Sequence, residues 1–406
     1  MEFSGPCRTL RRGRGLGLGV GRCVGVVLLA AGLGCGRPGS PPPPVSAPTT
    51  LKDAFAGVFV VGAAINDRQS SGRDVAGDTV IARHFDTISP ENVMKWESIE
   101  PRPGEFAFDA ADRYVAFGER HGMTVIGHTL VWHNQTPRWV FEDSAGKPAS
   151  RDTLIARMRS HIFAVVGRYK GRIRGWDVVN EAVAENGSLR QSPWLRIIGP
   201  EYIAMAFQFA HQADPGAELH YNDFSVEAPA KRAGIVRLVR SLREQGVPIT
   251  AIGMQEHQKL DWPTTGAIDS AIVELASTGL RLMVTELDVD PLPSNRGQRT
   301  EVVEQELQRT GAPDPYRAGL PDSVQLSLAR RYGDIVRVYL AHRDVISRMT
   351  FWGVADGDSW LNNFPVRGRT NHPLLFDRRG MPKPAFDTVV HAAIAARARG
   401  RPARVP

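Results

Sequence analysis

From residue 51 onwards the chain alternates short apolar runs with longer amphipathic stretches. Eight of the runs are short, rich in apolar and β-branched residues and bounded by turn residues, which is typical of strands. The predicted strands are Val58–Ala63, Phe85–Ile88, Thr124–Gly127, Ile173–Val179, Glu218–Tyr221, Ile249–Met254, Arg281–Thr285 and Met349–Trp352.

Amphipathic segments lie between most of these strands. Their apolar positions recur at helical spacing, and several segments are followed at once by glycines such as Gly122, Gly246 and Gly279, where a helix is expected to end. The predicted helices are Ala111–His121, Thr153–Tyr169, Glu201–Ala213, Ala228–Gln245, Ile268–Thr278 and Ser323–His342.

Strands that alternate with helices predict parallel strands joined by right-handed crossovers. Eight such units favour an α/β protein of the closed (β/α)8 TIM-barrel type, as a single domain over residues 51–395. The alternative architecture is an open doubly wound sheet, which normally carries a glycine-rich phosphate turn after its first strand. The first predicted strand runs into Ala63–Asp67 without such a turn, which favours the barrel.

The two ends of the chain differ from this body. Residues 1–35 combine an arginine-rich start with the apolar run Val24–Leu33, which predicts a secretory signal peptide. The run is too short to span a bilayer as a helix. Gly34-Cys35 resembles a lipoprotein cleavage site, although Gly32 occupies the usual leucine position. Lipidation of Cys35 and ordinary cleavage nearby therefore remain two alternatives.

A proline-rich linker is predicted over residues 36–50 and a basic tail over residues 396–406. We expect a monomer that is secreted or held in the cell envelope and is not cytoplasmic. Its contact with a membrane would be a lipid anchor at the N-terminus.

Charge and cysteines exclude several classes of function. The net charge is +7, but arginines concentrate in the first 40 and last ten residues, which leaves the body close to neutral. This distribution argues against a nucleic-acid partner. Cys7, Cys23 and Cys35 are the three cysteines of the chain, so the body has no thiolate metal site and no catalytic cysteine.

Polar side chains follow seven of the predicted strands, where a barrel places its active site. Glu181 follows the fourth strand and Glu286 the seventh. These strands lie on opposite sides of an eight-stranded barrel, so the two carboxyls should face each other across its mouth. Glycoside hydrolysis requires such a pair, and a separation of about 5–5.5 Å gives retention whereas about 6.5–9.5 Å gives inversion. The sequence leaves that distance open.

The strand-end residues belong to segments that occur together in one enzyme family. The segments are SPENVMKWESIEP, GHTLVWHNQTP, WDVVNEA, YNDF, GMQEH, TELDV and FWGVADGDSW. In this order they resemble the family-10 glycoside hydrolases, endo-β-1,4-xylanases of (β/α)8 fold, over about residues 51 to 395. The resemblance implies a retaining endo-1,4-β-xylanase that cleaves internal bonds of xylan by double displacement.

The resemblance also implies roles for individual residues. Glu181 matches the acid/base and Glu286 the nucleophile. Catalytic support is implied for Asn180, His257, Gln255 and Asp288. Substrate binding is implied for Glu91, Asn92, Lys95, His128, Trp132, Gln135, Tyr221, Trp352 and Trp360, with Tyr221 on the aglycone side and the last two in a lid.

Three features depart from the family pattern. Val93 stands where a glutamate is frequent, and Glu256 stands where a small residue is commoner. We expect the extra carboxylate of Glu256 to alter the electrostatics of the sugar subsites. The segment Pro291–Asp322 is long, with a short helix predicted over Glu301–Arg309, and it either shapes the cleft or only decorates it.

Two alternative functions stay open at this point. One is the same chemistry on another β-1,4-glycan such as glucan, which Gln135 and Trp352 would distinguish at the C5 substituent. The other is a noncatalytic sugar-binding barrel, which predicts loss of a catalytic carboxylate. No metal and no organic cofactor is expected, because the histidines lack zinc-site spacing. The expected partners are xylan and xylo-oligosaccharides.

Overall fold

The computed structural model describes residues 50–293 and 314–400. The strands in these ranges are β1 (Val60–Ile65), β2 (Thr87–Pro90), β3 (Thr124–Val131), β4 (Gly175–Asn180), β5 (Glu218–Asp223), β6 (Ala251–Met254), β7 (His257–Lys259), β8 (Arg281–Asp290) and β9 (Ile346–Phe351). Most of the segment after β8, including the helix predicted over Glu301–Arg309, lies outside the described residues.

Helices occupy the intervals between the strands. They are α1 (Leu51–Phe55), α2 (Asp67–Ser70), α3 (Val75–His84), α4 (Trp96–Ile99), α5 (Asp109–Arg120), α6 (Arg138–Phe141), α7 (Arg151–Arg168), α8 (Pro193–Ile198), α9 (Tyr202–Ala213), α10 (Pro229–Glu244), α11 (Thr265–Ala276), α12 (Asp322–Ala341) and α13 (Pro384–Gly400). None of the helices in the described ranges is both long and apolar enough to cross a membrane.

Eight of the strands close into a parallel barrel. Neighbours pair in chain order from β1 to β6, β6 pairs with β8, β8 with β9, and β9 with β1. The short β7 lies beside this ring and pairs with the end of β8, starting at His257 opposite Asp288. The predicted (β/α)8 TIM barrel is therefore confirmed, with β8 and β9 as its seventh and eighth strands.

The predicted elements agree with the observed ones apart from their ends. All eight predicted strands are present, and the six predicted helices correspond to α5, α7, α9, α10, α11 and α12. The largest difference is β8, which continues past Thr285 to Asp290. It continues because β7, a strand absent from the prediction, supplies a pairing partner there.

Local sequence signals define several helix ends. The Ser150 hydroxyl accepts a hydrogen bond of 3.2 Å from the Thr153 amide and caps α7, and Thr264 caps α11 in the same way. Gly246 and Gly279 end α10 and α11 with φ of 70° and 76°, a conformation that costs glycine little.

The core lies between the barrel and the helices. Trp176 of β4 packs directly over Gly127 of β3, where an added Cβ would lie 2.1 Å from the indole Cε3. The opposite face of these strands carries polar groups into the barrel: Asp177 accepts hydrogen bonds from His128 at 3.0 Å and His220 at 3.3 Å. Burial alone would raise the pKa of Asp177, but these two histidines outweigh it and hold the pKa well below its usual range.

Candidate active site

A cleft of about 690 Å³ opens at the C-terminal ends of the barrel strands. Thirteen of the residues expected at the site line it: Glu91, Asn92, Lys95, His128, Trp132, Gln135, Asn180, Glu181, Gln255, His257, Glu286, Trp352 and Trp360. The two carboxyls that the sequence analysis paired therefore face one cavity. Asp288 and Tyr221 do not line it.

Glu181 follows β4 directly and is held by its backbone and its side chain. Its φ of 58° lies in the left-handed region, which is uncommon for a residue with a Cβ and is often found at functional sites. Its amide donates to the Asn222 carbonyl at 2.9 Å. Its carboxyl accepts hydrogen bonds from Gln255 Nε2 at 3.0 Å and Trp132 Nε1 at 2.9 Å, which fix its orientation.

Glu286 lies inside β8, where the pairing with β9 shifts register between Val284 and Leu287. An extra residue in one strand locally changes the direction of side chains, and here the shift spans Glu286. The Glu286 amide donates to the Gln255 carbonyl at 3.0 Å. Its Oε2 lies 3.2 Å from His257 Nε2, and its Oε1 accepts from Asn222.

Asn222, at the end of β5, connects the two glutamates. Its Nδ2 donates to Glu286 Oε1 at 2.7 Å and to Asn180 Oδ1 at 3.0 Å, and Asn180 in turn donates to Glu181 Oε1 at 3.3 Å. Thr285 Oγ1 donates to Asn222 Oδ1 at 2.7 Å, which fixes the direction of the amide.

Space for this amide comes from a glycine in the next strand. A Cβ added to Gly253 of β6 would lie 2.3 Å from Asn222 Oδ1 and 2.9 Å from Thr285 Cγ2. Any larger residue at position 253 would therefore displace the side chain that supports Glu286.

His257 stands between two carboxylates. Its Nε2 faces Glu286 and its Nδ1 forms an ion pair of 3.1 Å with Asp288. Burial alone would lower the pKa of His257, but Asp288 and Glu286 outweigh it and raise the pKa to about 9. Asp288 also accepts a hydrogen bond of 2.8 Å from Trp360 Nε1, so it orients both His257 and Trp360.

One wall of the cleft is a network around Lys95. Its Nζ donates to Asn92 Oδ1 at 2.9 Å and to Gln135 Oε1 at 2.7 Å, and lies 5.1 Å from the centre of the Trp132 ring. Burial lowers the pKa of Lys95, and burial raises the pKa of the neighbouring Glu91. These side chains present hydrogen-bonding groups beside an aromatic face, a combination suited to a sugar.

A second wall of the cleft is aromatic. The Trp352 ring lies 5.3 Å from the His128 ring, and the Trp360 ring lies 4.8 Å from the His257 ring. Trp360 also stacks on Phe364 at 5.3 Å. Flat apolar faces of this kind can cover the C–H face of a pyranose.

The structure contradicts the expectation that Tyr221 lines the aglycone side. Tyr221 is fully buried, its hydroxyl donates to Asp223, and the same oxygen accepts from the Val183 amide at 3.1 Å. Side chains alternate along a strand, so Asn222 points into the barrel towards Glu286 and Tyr221 points to the other face of the sheet.

Glu256 also differs from its expectation. We expected its carboxylate to act on the sugar subsites, but the side chain is 2% exposed, does not line the cleft and hydrogen-bonds to Tyr339 of α12. Its effect on the site must therefore act through its neighbours.

Within the described ranges, five further residues line the cleft that the sequence did not indicate. They are Asn134, Phe224, Ser225, Asn363 and Phe364. Phe224 follows β5, a place where the strand-end rule could have found it. Asn363 and Phe364 come from the long connection after β9, for which strand ends give no indication.

The fold and the site together define a carbohydrate-cleaving barrel enzyme: paired carboxyls, hydrogen-bonding groups and tryptophans meet at the C-terminal mouth of a (β/α)8 barrel. The sequence profile described as "Glycosyl hydrolase family 10" matches residues 50–392. The chain belongs to glycosyl hydrolase family 10.

Individual relatives agree with this assignment. The chain is 43% identical over 341 residues to "Endo-1,4-beta-xylanase A" of Xylanibacter ruminicola, which covers 84% of this chain and 92% of that protein. It is 44% identical over 351 residues to "Endo-1,4-beta-xylanase" of Geobacillus stearothermophilus, covering 84% and 98%. Among solved structures, a GH10 endoxylanase retrieved from a sugarcane soil metagenome superposes with a TM-score of 0.78 at 45% identity, covering 85% of this chain and 100% of the other.

Proposed function

We infer that this chain is a retaining endo-1,4-β-xylanase that hydrolyses internal β-1,4-xylosidic bonds of xylan. The observation that carries the proposal is the placement of Glu181 and Glu286 in one cleft, each oriented by its own set of hydrogen bonds. The endoxylanase names of relatives that match nearly the whole barrel support the substrate class.

In the first step of the reaction, a Glu286 carboxylate oxygen attacks the anomeric carbon of the sugar. Glu181 donates its proton to the glycosidic oxygen as that bond breaks, and the aglycone leaves as an alcohol. The product of this step is a glycosyl ester of Glu286. His257, whose raised pKa keeps it cationic at neutral pH, places a positive charge 3.2 Å from Oε2 of Glu286.

In the second step, Glu181 is now a carboxylate and takes a proton from a water molecule. The resulting hydroxide equivalent attacks the anomeric carbon from the side that the aglycone left, and Glu286 departs as a carboxylate. Two inversions give net retention, and both glutamates return to their starting protonation states. Gln255 and Trp132 hold the Glu181 carboxyl in one place through both steps.

Substrate binding is assigned to the two walls of the cleft. Lys95, Asn92 and Glu91 offer polar groups to the glycone sugars, and Trp352 and Trp360 cover the sugar faces at the centre of the cleft. Phe224 takes the place that the sequence analysis gave to Tyr221 on the aglycone side, because it is the aromatic residue after β5 that lines the cleft.

Residues 1–35 are proposed as a signal peptide, with lipidation at Cys35 and cleavage nearby as the alternatives, and residues 36–50 as a linker. Residues 51–395 are proposed as the catalytic domain and residues 396–406 as a basic tail. On this basis the enzyme acts as a monomer outside the cytoplasm.

Reducing-end release by the purified protein on xylan, β-1,4-glucan and mannan tests the function. We expect release from xylan that is abolished in Glu286→Ala. The matched control is Glu274→Ala, which removes a surface glutamate of α11 that pairs with Arg232 and should leave release unchanged. Release mainly from glucan would overturn the substrate class, and no release from any of the three by the folded protein would overturn the enzymatic function.

A further inference from the structure

Glu256 lies between two residues that contact the catalytic glutamates. Its neighbour Gln255 donates to Glu181, and its other neighbour His257 faces Glu286. The backbone at residue 256 has φ of 62°, in the left-handed region that disfavours a residue with a Cβ. Something in the surrounding structure must therefore hold this conformation.

The carboxyl of Glu256 is the group that ties this backbone to the helix layer. Its Oε2 accepts a hydrogen bond of 2.6 Å from the hydroxyl of Tyr339, which lies on α12 and is fully buried. The same oxygen accepts from Gln258 Nε2. Gln258 is itself fixed, because its Oε1 accepts from Arg331 Nη2 at 2.7 Å.

A second buried carboxyl shares this site. Gln258 Nε2 also donates to Glu227 Oε1 at 3.2 Å, so one amide nitrogen bridges Glu227 and Glu256. Oε1 of Glu256 is buried and accepts no hydrogen bond from the described residues. Two adjacent carboxyls without solvent cannot both ionise at low cost.

The charges around the pair agree with a protonated Glu256. Burial raises its pKa, and the neighbouring Glu227 raises it further. The titratable and charged groups that face the pair are Glu227, Lys231 of α10, and Arg331 and Tyr339 of α12. Lys231 acts on Glu227, and Arg331 acts on both carboxyls. This arrangement favours the negative charge on Glu227 and the proton on Glu256.

We propose that Glu256 is a positioning residue of the active site, whose carboxyl, anchored by Tyr339 and Gln258, holds the left-handed turn that directs Gln255 to Glu181 and His257 to Glu286. The inference rests on the proposed function of the two glutamates. It extends that function to a residue that touches no substrate.

Truncation of Glu256 would leave the Tyr339 hydroxyl without its acceptor and Gln258 Nε2 with the longer bond to Glu227 alone. It would also leave Glu227 without the neighbour that carries the proton. The turn would then be free to relax, which moves Gln255 and His257 relative to the carboxyls that they orient. Small misplacements of this kind can reduce the rate by about 10²-fold. Because substrate is held mainly by the two walls of the cleft, the loss should fall on kcat more than on KM.

The test measures kcat, KM and the thermal midpoint on a xylo-oligosaccharide for four variants of the full protein. Glu256→Ala should lower kcat by about tenfold or more with KM within about threefold of the parent. Glu256→Gln should restore kcat to within about threefold of the parent, since an amide reproduces the protonated acid: its oxygen accepts from Tyr339 and Gln258. Tyr339→Phe, which removes one anchor, should lower kcat in the same direction as Glu256→Ala.

The matched control is Tyr332→Phe. Tyr332 is also fully buried on α12, but its hydroxyl donates to the Pro373 carbonyl. This variant should lower the thermal midpoint and leave kcat unchanged. Equal losses of kcat in Tyr332→Phe and Tyr339→Phe would overturn the proposal, because the effect would then follow helix stability. Parental kcat in a folded Glu256→Ala would overturn it too, whereas an inactive parent would instead overturn the proposed function.

The protonation of Glu256 has its own readout. A carboxyl whose pKa is raised by folding destabilises the protein as pH rises above its unfolded pKa, because the unfolded chain ionises first. Glu256→Gln removes this loss. The thermal midpoint of Glu256→Gln minus that of the parent should therefore increase from pH 5 to pH 8. This measurement does not require Glu256→Ala to fold. A difference that stays flat with pH, together with a Glu256→Gln kcat as low as that of Glu256→Ala, would overturn the proposal.

Discussion

Asn222 donates a hydrogen bond of 2.7 Å from Nδ2 to Oε1 of Glu286. Both side chains are buried, Asn222 completely, so water does not compete for this contact. The same amide donates to Asn180, which in turn donates to Glu181. Asn222 therefore contacts Glu286 directly and Glu181 through Asn180. The two glutamates are therefore coupled through the protein before substrate arrives.

Asn222→Ala should reduce kcat on xylan strongly, because it removes a preorganised donor to the carboxylate that attacks and later departs. The loss of one such donor typically costs about 10²–10³ in rate. The check is steady-state kinetics on an aryl xylobioside. Asn186→Ala is a matched control in an exposed loop, and a loss no greater than in this control would contradict the role of Asn222.

Glu181→Ala should spare substrates with good leaving groups far more than xylan. The first step needs the Glu181 proton only when the leaving oxygen is a poor leaving group. Rates on a dinitrophenyl xylobioside and on xylan, measured side by side, report this difference. Equal losses on the two substrates would be inconsistent with Glu181 as the acid.

The stability of the enzyme should fall on the alkaline side because of His257. Its folded pKa is raised from 6.5 to about 9, so its stabilising contribution is fully present below about pH 6.5 and is lost as pH rises through about 9. The thermal midpoint measured from pH 6 to pH 10 should decline over this range. His257→Gln should be less stable at pH 6 and should show a smaller decline, and an unchanged decline would assign the effect to another group.

Tyr221→Phe should reduce stability without changing substrate affinity. The variant loses the hydroxyl that donates to Asp223 and accepts from the Val183 amide, at an expected cost of about 1–2 kcal/mol. KM for xylotetraose should stay at the parental value, since the ring does not line the cleft. Phe224→Ala is the companion variant and should raise KM. A raised KM in Tyr221→Phe would restore the original expectation for this tyrosine.

Much of the architecture could be predicted from the sequence because it follows from periodicity. The apolar runs set the strands, and parallel strands place their C-terminal ends at one face. Glu181 directly follows the buried strand β4, so the rule that active-site residues follow barrel strands is enough to find it. Glu286 could be found too, although the register shift that orients it within β8 is a property of the pairing with β9.

Other features depend on contacts that one strand does not reveal. Gly253 is needed because Asn222 and Thr285 approach it from neighbouring strands, which the sequence of β6 does not indicate. Glu256 was expected at the subsites, since a carboxylate near two cleft residues suggests exposure. The left-handed turn at this residue points it instead at α12.

Tyr221 is a different kind of error, because the sequence did contain the information. Adjacent residues in a strand point to opposite faces, so Tyr221 and Asn222 could not both line the mouth. His220, two residues before Asn222, contacts Asp177 inside the barrel, and this shared face places Asn222 inside the barrel and Tyr221 on the opposite face of the sheet.

The most direct test of the central claim is to trap the covalent intermediate. A 2-deoxy-2-fluoro xylobioside with a dinitrophenolate leaving group should form the ester quickly and hydrolyse it slowly, because the fluorine destabilises the charged transition states of both steps. Intact mass spectrometry should show one added fluorinated xylobiosyl group, and peptide mapping should place it on Glu286. A label on another residue, or no label together with an inverted anomer as the first product, would contradict the account.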